Sequence, residues 1–145
     1  MEISFHYMLM ASHMELQKQV FTQLKDTDLT PGQPKILDYL MHKDGVNQRE
    51  IADCCRIEPA SVTAILSGME QKGLIQRKPV ENDRRTLQVR LTERGRQLGK
   101  QVQMIFEQIE NKLKADIPPA EWDAFLIIFK RVYEHLTQEG IGWKK

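Results

Sequence analysis

Arginine and lysine side chains are concentrated in one short part of this 145-residue sequence. Residues 72–96 hold eight Lys and Arg and three Asp and Glu, a local net charge of +5. Residues 1–71 hold six basic and ten acidic side chains, a net charge of −4, and residues 97–145 hold seven of each. Segregated positive charge is typical of a nucleic-acid surface, although a solvated basic face without a partner gives the same count.

The basic segment has the pattern of a β-hairpin. Residues 74–77 and 87–91 alternate apolar and polar side chains, as half-buried strands do. Pro79 and the pair Asn82-Asp83 favour a chain reversal between them. Arg84 and Arg85 directly follow this turn. An arginine-tipped hairpin fits the minor groove of DNA, and the position of these residues predicts such a wing.

A helix-turn-helix pattern precedes the hairpin. Asn47 is a good N-cap for a helix with a buried face of Ile51, Ala52 and Cys55, and a turn at residues 56–58 leads to Pro59, which opens a second helix. The inward face of that second helix consists of Val62, Ile65, Leu66 and Met69. Its opposite face carries small or polar residues that leave room for a flat partner: Ala60, Ser61, Thr63, Ala64, Ser67 and Gly68.

Further helices flank this unit. We predict one helix over about residues 3–25, a second from Thr30, as N-cap, and Pro31 to about His42, a fifth from the cap Thr92, and a sixth over about residues 120–138. The predicted fold is mainly α with a small β-hairpin, a winged helix-turn-helix in the order α-α-α-α-β-β-α-α. One domain spans 1–145, with a winged-helix lobe at 31–96. The segments 1–30 and 97–145 have more apolar surface than this lobe can cover, which predicts dimerisation helices.

Three segments resemble MarR-type transcriptional regulators. Residues 82–95, from Asn82 to Gly95, are similar to the D-x-R…V-x-L-T-x-x-G wing signature of that family. Residues 70–77 resemble its E-x-K-G-L-I-x-R segment, with Met69 in place of the usual leucine, and residues 29–33 resemble its L-T-x-x-Q start. The resemblance covers essentially the whole chain. It implies a homodimer that binds a palindromic operator in double-stranded DNA.

The resemblance also implies roles for individual residues. The fourth helix would lie in the major groove, and Gln48 at the start of the third helix would contact phosphate. Arg85 would enter the minor groove with its guanidinium held by Asp83, and Arg77, Lys78 and Arg84 would neutralise phosphates. The alternatives are an Asx-turn at Asp83 and a solvated Arg85. The residues implied along the fourth helix are Pro59, Ala60, Ser61, Thr63, Ala64 and Ser67.

The controlling signal is open. A small-molecule effector in a crevice lined by Met8, Met14, Phe21, Tyr39 and Met41 is one prediction, and core packing explains the same residues. A thiol response through Cys54 is another, since periodicity buries Cys55 but turns Cys54 away from the core. The histidines are dispersed and the two cysteines are adjacent, so we expect no metal site and no cofactor.

Other classes of function find less support. The sequence contains no phosphate-binding glycine loop, no G-x-S-x-G motif and no catalytic triad pattern, so we do not expect an enzyme. A winged helix that binds protein instead of DNA is the remaining alternative, and it predicts an exposed apolar face on the fourth helix. No apolar run approaches the roughly 20 residues of a membrane span. With no secretory signal and no spaced cysteine pairs, we predict a cytoplasmic protein. We predict a repressor, because a protein that covers an operator most simply blocks polymerase.

Overall fold

The computed structural model of the chain describes residues 2–140. Within this range the helices and strands follow in the order α1 Phe5–Gln23, α2 Gln33–His42, β1 Val46–Asn47, α3 Gln48–Cys55, α4 Pro59–Gln71, β2 Ile75–Val80, β3 Asp83–Leu91, α5 Glu93–Leu113 and α6 Pro119–Thr137. The fold is a winged helix-turn-helix, as predicted. Met1 and residues 141–145, which belong to the predicted dimerisation segments, lie outside the described residues.

A third strand joins the predicted hairpin. The antiparallel sheet has the order β1-β3-β2, and β1 pairs through Val46 with Val89 and through Asn47 with Gln88. A two-residue strand has no alternation to detect, and Asn47 carries a second signal as the N-cap of α3. The sequence pattern therefore did not indicate β1. The strand ties the start of α3 directly to the wing.

The core lies between α2, α3, α4, α5 and the sheet. The helices α2 and α4 contribute its fully buried side chains Ile36, Leu37, Leu40, Val62, Leu66 and Met69. Two predicted caps are confirmed: the Asn47 side chain accepts the Glu50 N–H at 2.8 Å, and the Thr92 hydroxyl accepts the Gly95 N–H at 3.0 Å. These caps fix the first turns of α3 and α5, two helices that enclose α4 and the hairpin along the chain.

The start of α2 differs from the prediction. The helix begins at Gln33, not at Pro31, and its N-cap is Gly32 with φ +91° instead of Thr30. A left-handed residue cannot lie inside a right-handed helix, so the turn at residues 30–32 stays outside it. Thr30 still contacts the start of the helix, because its backbone N–H donates to Gln33 Oε1 at 3.1 Å. Pro34, in the first turn, takes the place that the prediction gave to Pro31.

The junction between the wing and α5 is very tight. Thr92 N–H donates to the Leu74 carbonyl at 3.0 Å, and the Thr92 hydroxyl donates to the Gly73 carbonyl at 2.6 Å. A Cβ atom on Gly95 would lie 2.0 Å from the Leu74 carbonyl oxygen. The T-x-x-G part of the wing signature therefore has a structural cause: the threonine caps α5, and the glycine lets α5 approach the backbone of the wing.

The outer helices are poorly covered. Val20 is the buried residue of α1, and no residue of α6 is buried. Met8 and Met14, which core packing was expected to cover, are 55% and 63% exposed. The exposed apolar side chains of α6 include Phe125, Leu126, Ile127, Ile128, Phe129 and Leu136. The helix periodicity was right, but the described single chain supplies no cover for these faces.

Candidate nucleic-acid interface

The outer face of α4 is small and accessible. Pro59, Ala60, Ser61, Thr63 and Ala64 are exposed, whereas Ser67 and Gly68 are half-buried. On the inner face Val62, Leu66 and Met69 are fully buried, as predicted, and Ile65 is only partly buried because it packs at the edge of the core. The helix therefore presents hydroxyl and methyl groups without a bulky apolar side chain.

Gln48 lies beside this face. It is the first residue of α3, and its side-chain Nε2 donates to Thr63 Oγ1 at 2.6 Å. The Gln48 side chain thus donates to a residue of α4 in this structure and does not extend into solvent. A phosphate contact through the backbone N–H of Gln48 stays a prediction.

Arg77 is not a free wing cation. Its Nε lies 3.1 Å from Glu70 Oε2, and one terminal nitrogen donates to Ser67 Oγ at 3.3 Å and to Glu70 Oε1 at 3.4 Å. The Arg77 side chain is only 19% exposed. Its hydrogen bond lowers the pKa of Glu70. Arg77 therefore joins β2 to the end of α4, and its role in phosphate neutralisation stays a prediction. Sequence reasoning overlooked Glu70, although a carboxylate seven residues before an arginine was visible.

The wing tip is a bulge closed by Asp83. The register between β2 and β3 passes from Pro79–Leu87 to Val80–Asp83, so three residues of β3 have no partner on β2. Asp83 Oδ1 accepts the backbone N–H of Arg85 at 3.0 Å, and Oδ2 accepts the Thr86 hydroxyl at 2.8 Å. These two bonds, the Thr86 bond foremost, lower the pKa of Asp83.

This geometry corrects one detail of the predicted wing. Asp83 holds the backbone of Arg85 and not its guanidinium. A carboxylate followed two residues later by an N–H forms an Asx-turn, which satisfies both oxygens locally and leaves the arginine side chain outward. Asp83 thus shapes the loop that presents Arg85. Thr86, its hydroxyl partner, had no distinguishing sequence signal.

The positive charge of the wing is largely unpaired. Lys78, Arg84 and Arg85 are exposed, and no acidic group of residues 2–140 lies within 4 Å of their charged nitrogens. By contrast, Arg96 forms an ion pair with Asp44 at 2.7 Å. The charge available to an external anion is therefore concentrated at the tip of the hairpin, whose strand β2 contacts the end of α4 through Arg77.

A polar cluster supports α3 from behind. Glu50 Oε1 accepts hydrogen bonds from Lys43 Nζ at 2.6 Å and from the Tyr39 hydroxyl at 2.7 Å, and these bonds lower the pKa of Glu50. Burial, and then the contacts with Glu50 and Cys54, raise the pKa of Tyr39 well above its ordinary range. Tyr39 is fully buried, so, contrary to the prediction, it does not line an open crevice.

The two thiols have different environments. Cys54 is half-buried, and Cys55 is buried with its thiol 3.7 Å from the Lys35 carbonyl. Burial raises the pKa of Cys55 to about 12. Because the thiolate is the reactive form, Cys55 is inert at neutral pH. The predicted contrast between the two cysteines is confirmed in their burial.

Arg56, in the turn between α3 and α4, connects the winged-helix lobe to α6. It adopts a left-handed conformation with φ +53°. Its guanidinium lies 5.5 Å from the centre of the Tyr133 ring, donates to the Tyr133 hydroxyl, and lies 3.5 Å from Glu139 Oε2. The sequence pattern placed residue 56 only in the turn before α4, since no local pattern indicated a contact with a residue 77 positions away.

The described residues show neither a metal site nor a membrane-spanning helix. No group of three or more His, Cys, Asp or Glu side chains within residues 2–140 has the arrangement of a metal site. Likewise, none of the described helices is long and apolar enough to cross a membrane.

Comparison with known proteins agrees with this geometry. Residues 27–86, from α2 to the wing tip, match the family model described as MarR family. Over this part of the chain, which is less than half of it, the sequence is similar to MarR-family regulators. Its relatives are named as transcriptional regulators, not as enzymes. Over 87 residues it is 30% identical to the transcriptional repressor MdtR of Bacillus subtilis, an alignment that covers 60% of this chain and 56% of MdtR. It is 32% identical over 89 residues to the organic hydroperoxide resistance regulator of the same organism, covering 61% and 60% of the two chains. The alignments thus span under two thirds of both curated relatives.

Solved MarR-type structures match over nearly the whole chain. The S. aureus MepR–DNA complex superposes with a TM-score of 0.87 at 25% identity and covers 94% of this chain and 100% of MepR. The repressor CouR, bound to a 23-mer DNA duplex, gives a TM-score of 0.80 at 25% identity and covers 90% and 92%. Both matched structures are DNA-bound states of winged-helix proteins.

Proposed function

We propose that this protein is a MarR-family transcriptional repressor that binds a palindromic operator in double-stranded DNA as a homodimer. The observation that carries the proposal is the combination of unpaired cations at the wing tip with the small, exposed face of α4, two elements that Arg77 joins. MepR and CouR, which the chain resembles in fold, form DNA complexes. A protein with this activity works where the chromosome is, which in a bacterium is the cytoplasm.

Each element would take a defined place on the duplex. Helix α4 enters the major groove, about 12 Å wide, because no large side chain on its outer face holds it away. The groove-facing residues are the predicted Pro59, Ala60, Ser61, Thr63, Ala64 and Ser67. The wing then follows the backbone into the adjacent minor groove, with Arg85 at its tip and Lys78 and Arg84 against phosphates.

The exposed apolar surfaces of the outer helices support the proposed dimer. A mostly apolar groove of about 340 Å³ lies between α1 and α6. A second groove, of about 390 Å³ and lined mainly by polar side chains, lies between α2 and α5. The apolar groove is lined by Phe5, Leu9, Leu126 and Phe129, among others. Large exposed apolar patches are rare in monomers, and a second copy would cover these faces of segments 1–30 and 97–145. Two copies would also present two α4 helices to two half-sites.

Repression and effector release complete the proposal. A dimer that covers an operator blocks polymerase, which is the simplest consequence of tight binding. An effector that changed the angle between the outer helices and the winged-helix lobe would change the separation of the two α4 helices and release the DNA. Of the predicted crevice residues, Phe21 and Met41 are half-buried, and they are the side chains that we assign to such a crevice.

The protein-interaction alternative is disfavoured by one feature. It predicts an apolar exposed face on α4, whereas the exposed residues there are alanine, serine, threonine and proline. It also gives no reason for an unpaired Arg85.

Selection from a random duplex pool tests the proposal. We expect enrichment of an inverted repeat, bound by two chains per duplex in analytical ultracentrifugation. Arg85→Ala should weaken binding to the selected site strongly, without a change in unfolding midpoint, because Arg85 contacts no core residue. The matched control is Lys112→Ala, which removes the same charge at the end of α5 opposite the wing and should bind as the parent does. No enrichment of any sequence, or equal binding by the Arg85 variant, would contradict the proposal.

A further inference from the structure

Two hydroxyl groups on the outer face of α4 each accept a hydrogen bond from a different element. Thr63 Oγ1 accepts from Gln48 Nε2, at the start of α3, at 2.6 Å. Ser67 Oγ accepts from an Arg77 terminal nitrogen, on β2, at 3.3 Å. Thr63 and Ser67 are four residues apart, so their side chains lie on the same face of the helix.

These partners decide what the hydroxyls can offer to a ligand. Glutamine Nε2 and the arginine guanidinium only donate, and a hydroxyl has one proton and two acceptor lone pairs. A hydroxyl that accepts from a donor-only group keeps its own proton for another acceptor, and accepting polarises it toward donation. Both hydroxyls are therefore set up as donors.

The usual internal acceptor of a helical hydroxyl is not used. A serine or threonine in a helix often donates to the carbonyl four residues earlier. Thr22 does so to Lys18 at 2.8 Å, and Thr137 does so to Tyr133 at 3.0 Å. Within residues 2–140, neither Thr63 nor Ser67 has a hydrogen bond to a carbonyl acceptor of this kind. Their protons remain available to an external group.

We propose that Thr63 and Ser67 read two hydrogen-bond acceptors on base edges of each half-site, and that Gln48 and Arg77 are positioning residues that fix both hydroxyls as donors. The inference rests on the proposed function and adds the chemistry of its specificity. In the major groove the acceptors are N7 and O6 of guanine, N7 of adenine and O4 of thymine, while cytosine offers only an amino donor.

The helix geometry sets the spacing of the two acceptors. Four residues of an α-helix rise about 6 Å, and base pairs are spaced about 3.4 Å apart. The two acceptor-presenting positions therefore lie about two base-pair steps apart. Ala60 and Ala64 lie beside the hydroxyls on the same face, and their methyl groups suit contact with a thymine methyl group.

The decisive variant reverses the polarity of one hydroxyl. In Gln48→Glu the ionised carboxylate can only accept hydrogen bonds. The Thr63 hydroxyl therefore donates its hydrogen bond to Glu, and the Thr63 oxygen is left to accept one from a base. We expect the preference at one position per half-site to change from an acceptor base toward cytosine or the amino group of adenine. The new negative charge weakens binding to all sequences alike, so the relative base preference is the readout.

Side-chain truncations complete the experiment, measured as the base preference in the selected pool and as affinity for the selected duplex. Thr63→Val should flatten the preference at that one position and weaken binding on the order of tenfold, the effect of about one hydrogen bond. Thr63→Ser keeps the hydroxyl and should keep the preference, and Ser67→Ala should act at the second position. Arg85→Ala should weaken binding while preserving the preference at both positions.

The outcomes separate this inference from the function on which it rests. Parent protein that selects a palindrome, with a base preference that Thr63→Val and Gln48→Glu leave unchanged, would overturn the inference and leave the proposed function standing. Parent protein that binds no duplex DNA would overturn both. Loss at the Thr63 position and reversal by Gln48→Glu is the result that the inference predicts.

Discussion

Replacement of Gly95 by alanine tests the joint between the wing and α5. The added Cβ would lie 2.0 Å from the Leu74 carbonyl oxygen and 3.0 Å from the Leu74 carbonyl carbon. Ordinary non-bonded contacts between carbon atoms are about 3.5–4.0 Å, so the carbonyl must move by more than about 1 Å. That carbonyl also accepts the Thr92 N–H at 3.0 Å, and the displacement would break this hydrogen bond.

Opposing effects decide the size of the change. Overpacking costs about 1–3 kcal/mol, and loss of the backbone hydrogen bond costs about 0.5–1.5 kcal/mol. Alanine in a helix is favoured over glycine by about 1 kcal/mol, which offsets part of this cost. We expect Gly95→Ala to lower the free energy of unfolding by roughly 1–3 kcal/mol.

Gly68 provides a matched control on α4. A Cβ there would lie 3.2 Å from Gln33 Nε2, so this buried side-chain amide, whose oxygen accepts from the Thr30 N–H and Lys72 Nζ, would have to move by only a few tenths of an ångström. Gly68→Ala should therefore unfold at the parent midpoint or slightly above it, because the helix preference is not opposed by a fixed backbone group. Both variants are measured by urea denaturation followed by circular dichroism. Gly95→Ala as stable as the parent would refute the argument for a backbone contact at this joint.

Three further predictions concern the core, the acid dependence of stability and the thiols. Leu66→Ala should lower the free energy of unfolding by about 2–5 kcal/mol, because the side chain is fully buried; an unchanged urea midpoint would mean that the facing of α4 is wrong. Glu50 has a lowered pKa, so its stabilising contribution is present above its ordinary pKa of 4.5 and is lost as the pH falls through the lower folded-state value. Glu50→Gln should therefore show a smaller decline in unfolding free energy between pH 5 and pH 3 than the parent, and an identical decline would contradict the assignment. In the native protein at pH 8, iodoacetamide should modify Cys54 well before Cys55, whose pKa is raised to about 12; equal rates by peptide mass spectrometry would refute the burial argument.

Local signals predicted much of this fold. The caps Asn47 and Thr92 each satisfy a backbone N–H three residues ahead, and that geometry depends only on nearby sequence. The spacing of apolar residues identified the core side of α4 for the same reason. These elements were predictable because the atoms that determine them are close along the chain.

Features that depend on distant residues were not predictable in the same way. Strand β1 exists because Val46 and Asn47 pair with β3 more than 40 positions later. Arg77 was assigned to phosphate because its charge was visible, whereas its contact with Glu70 depends on the angle at which β2 leaves α4. At Gly32, two prolines nearby made more than one helix start possible, and the backbone conformation decided between them.

The wing shows the same division within a few residues. The sequence indicated that Asp83 and Arg85 act together, and the structure brings them together. Which atom of Arg85 the carboxylate contacts depends on the bulge, which depends in turn on the register of β2 against β3. The family resemblance therefore implied the pair, while the pairing of the strands determined its geometry.

The dependence of operator affinity on salt tests the central claim most directly. Three exposed wing cations per chain, Lys78 and Arg84 at phosphates and Arg85 in the minor groove, bring about six positive charges of a dimer to the duplex. If each releases about one counterion, the slope of log affinity against log salt is roughly −5. Fluorescence anisotropy with the selected palindrome should show binding about a thousandfold weaker at 200 mM than at 50 mM salt, and a shallower slope for Arg85→Ala. Salt-independent binding, or an unchanged slope in the variant, would contradict a DNA interface built from α4 and this wing.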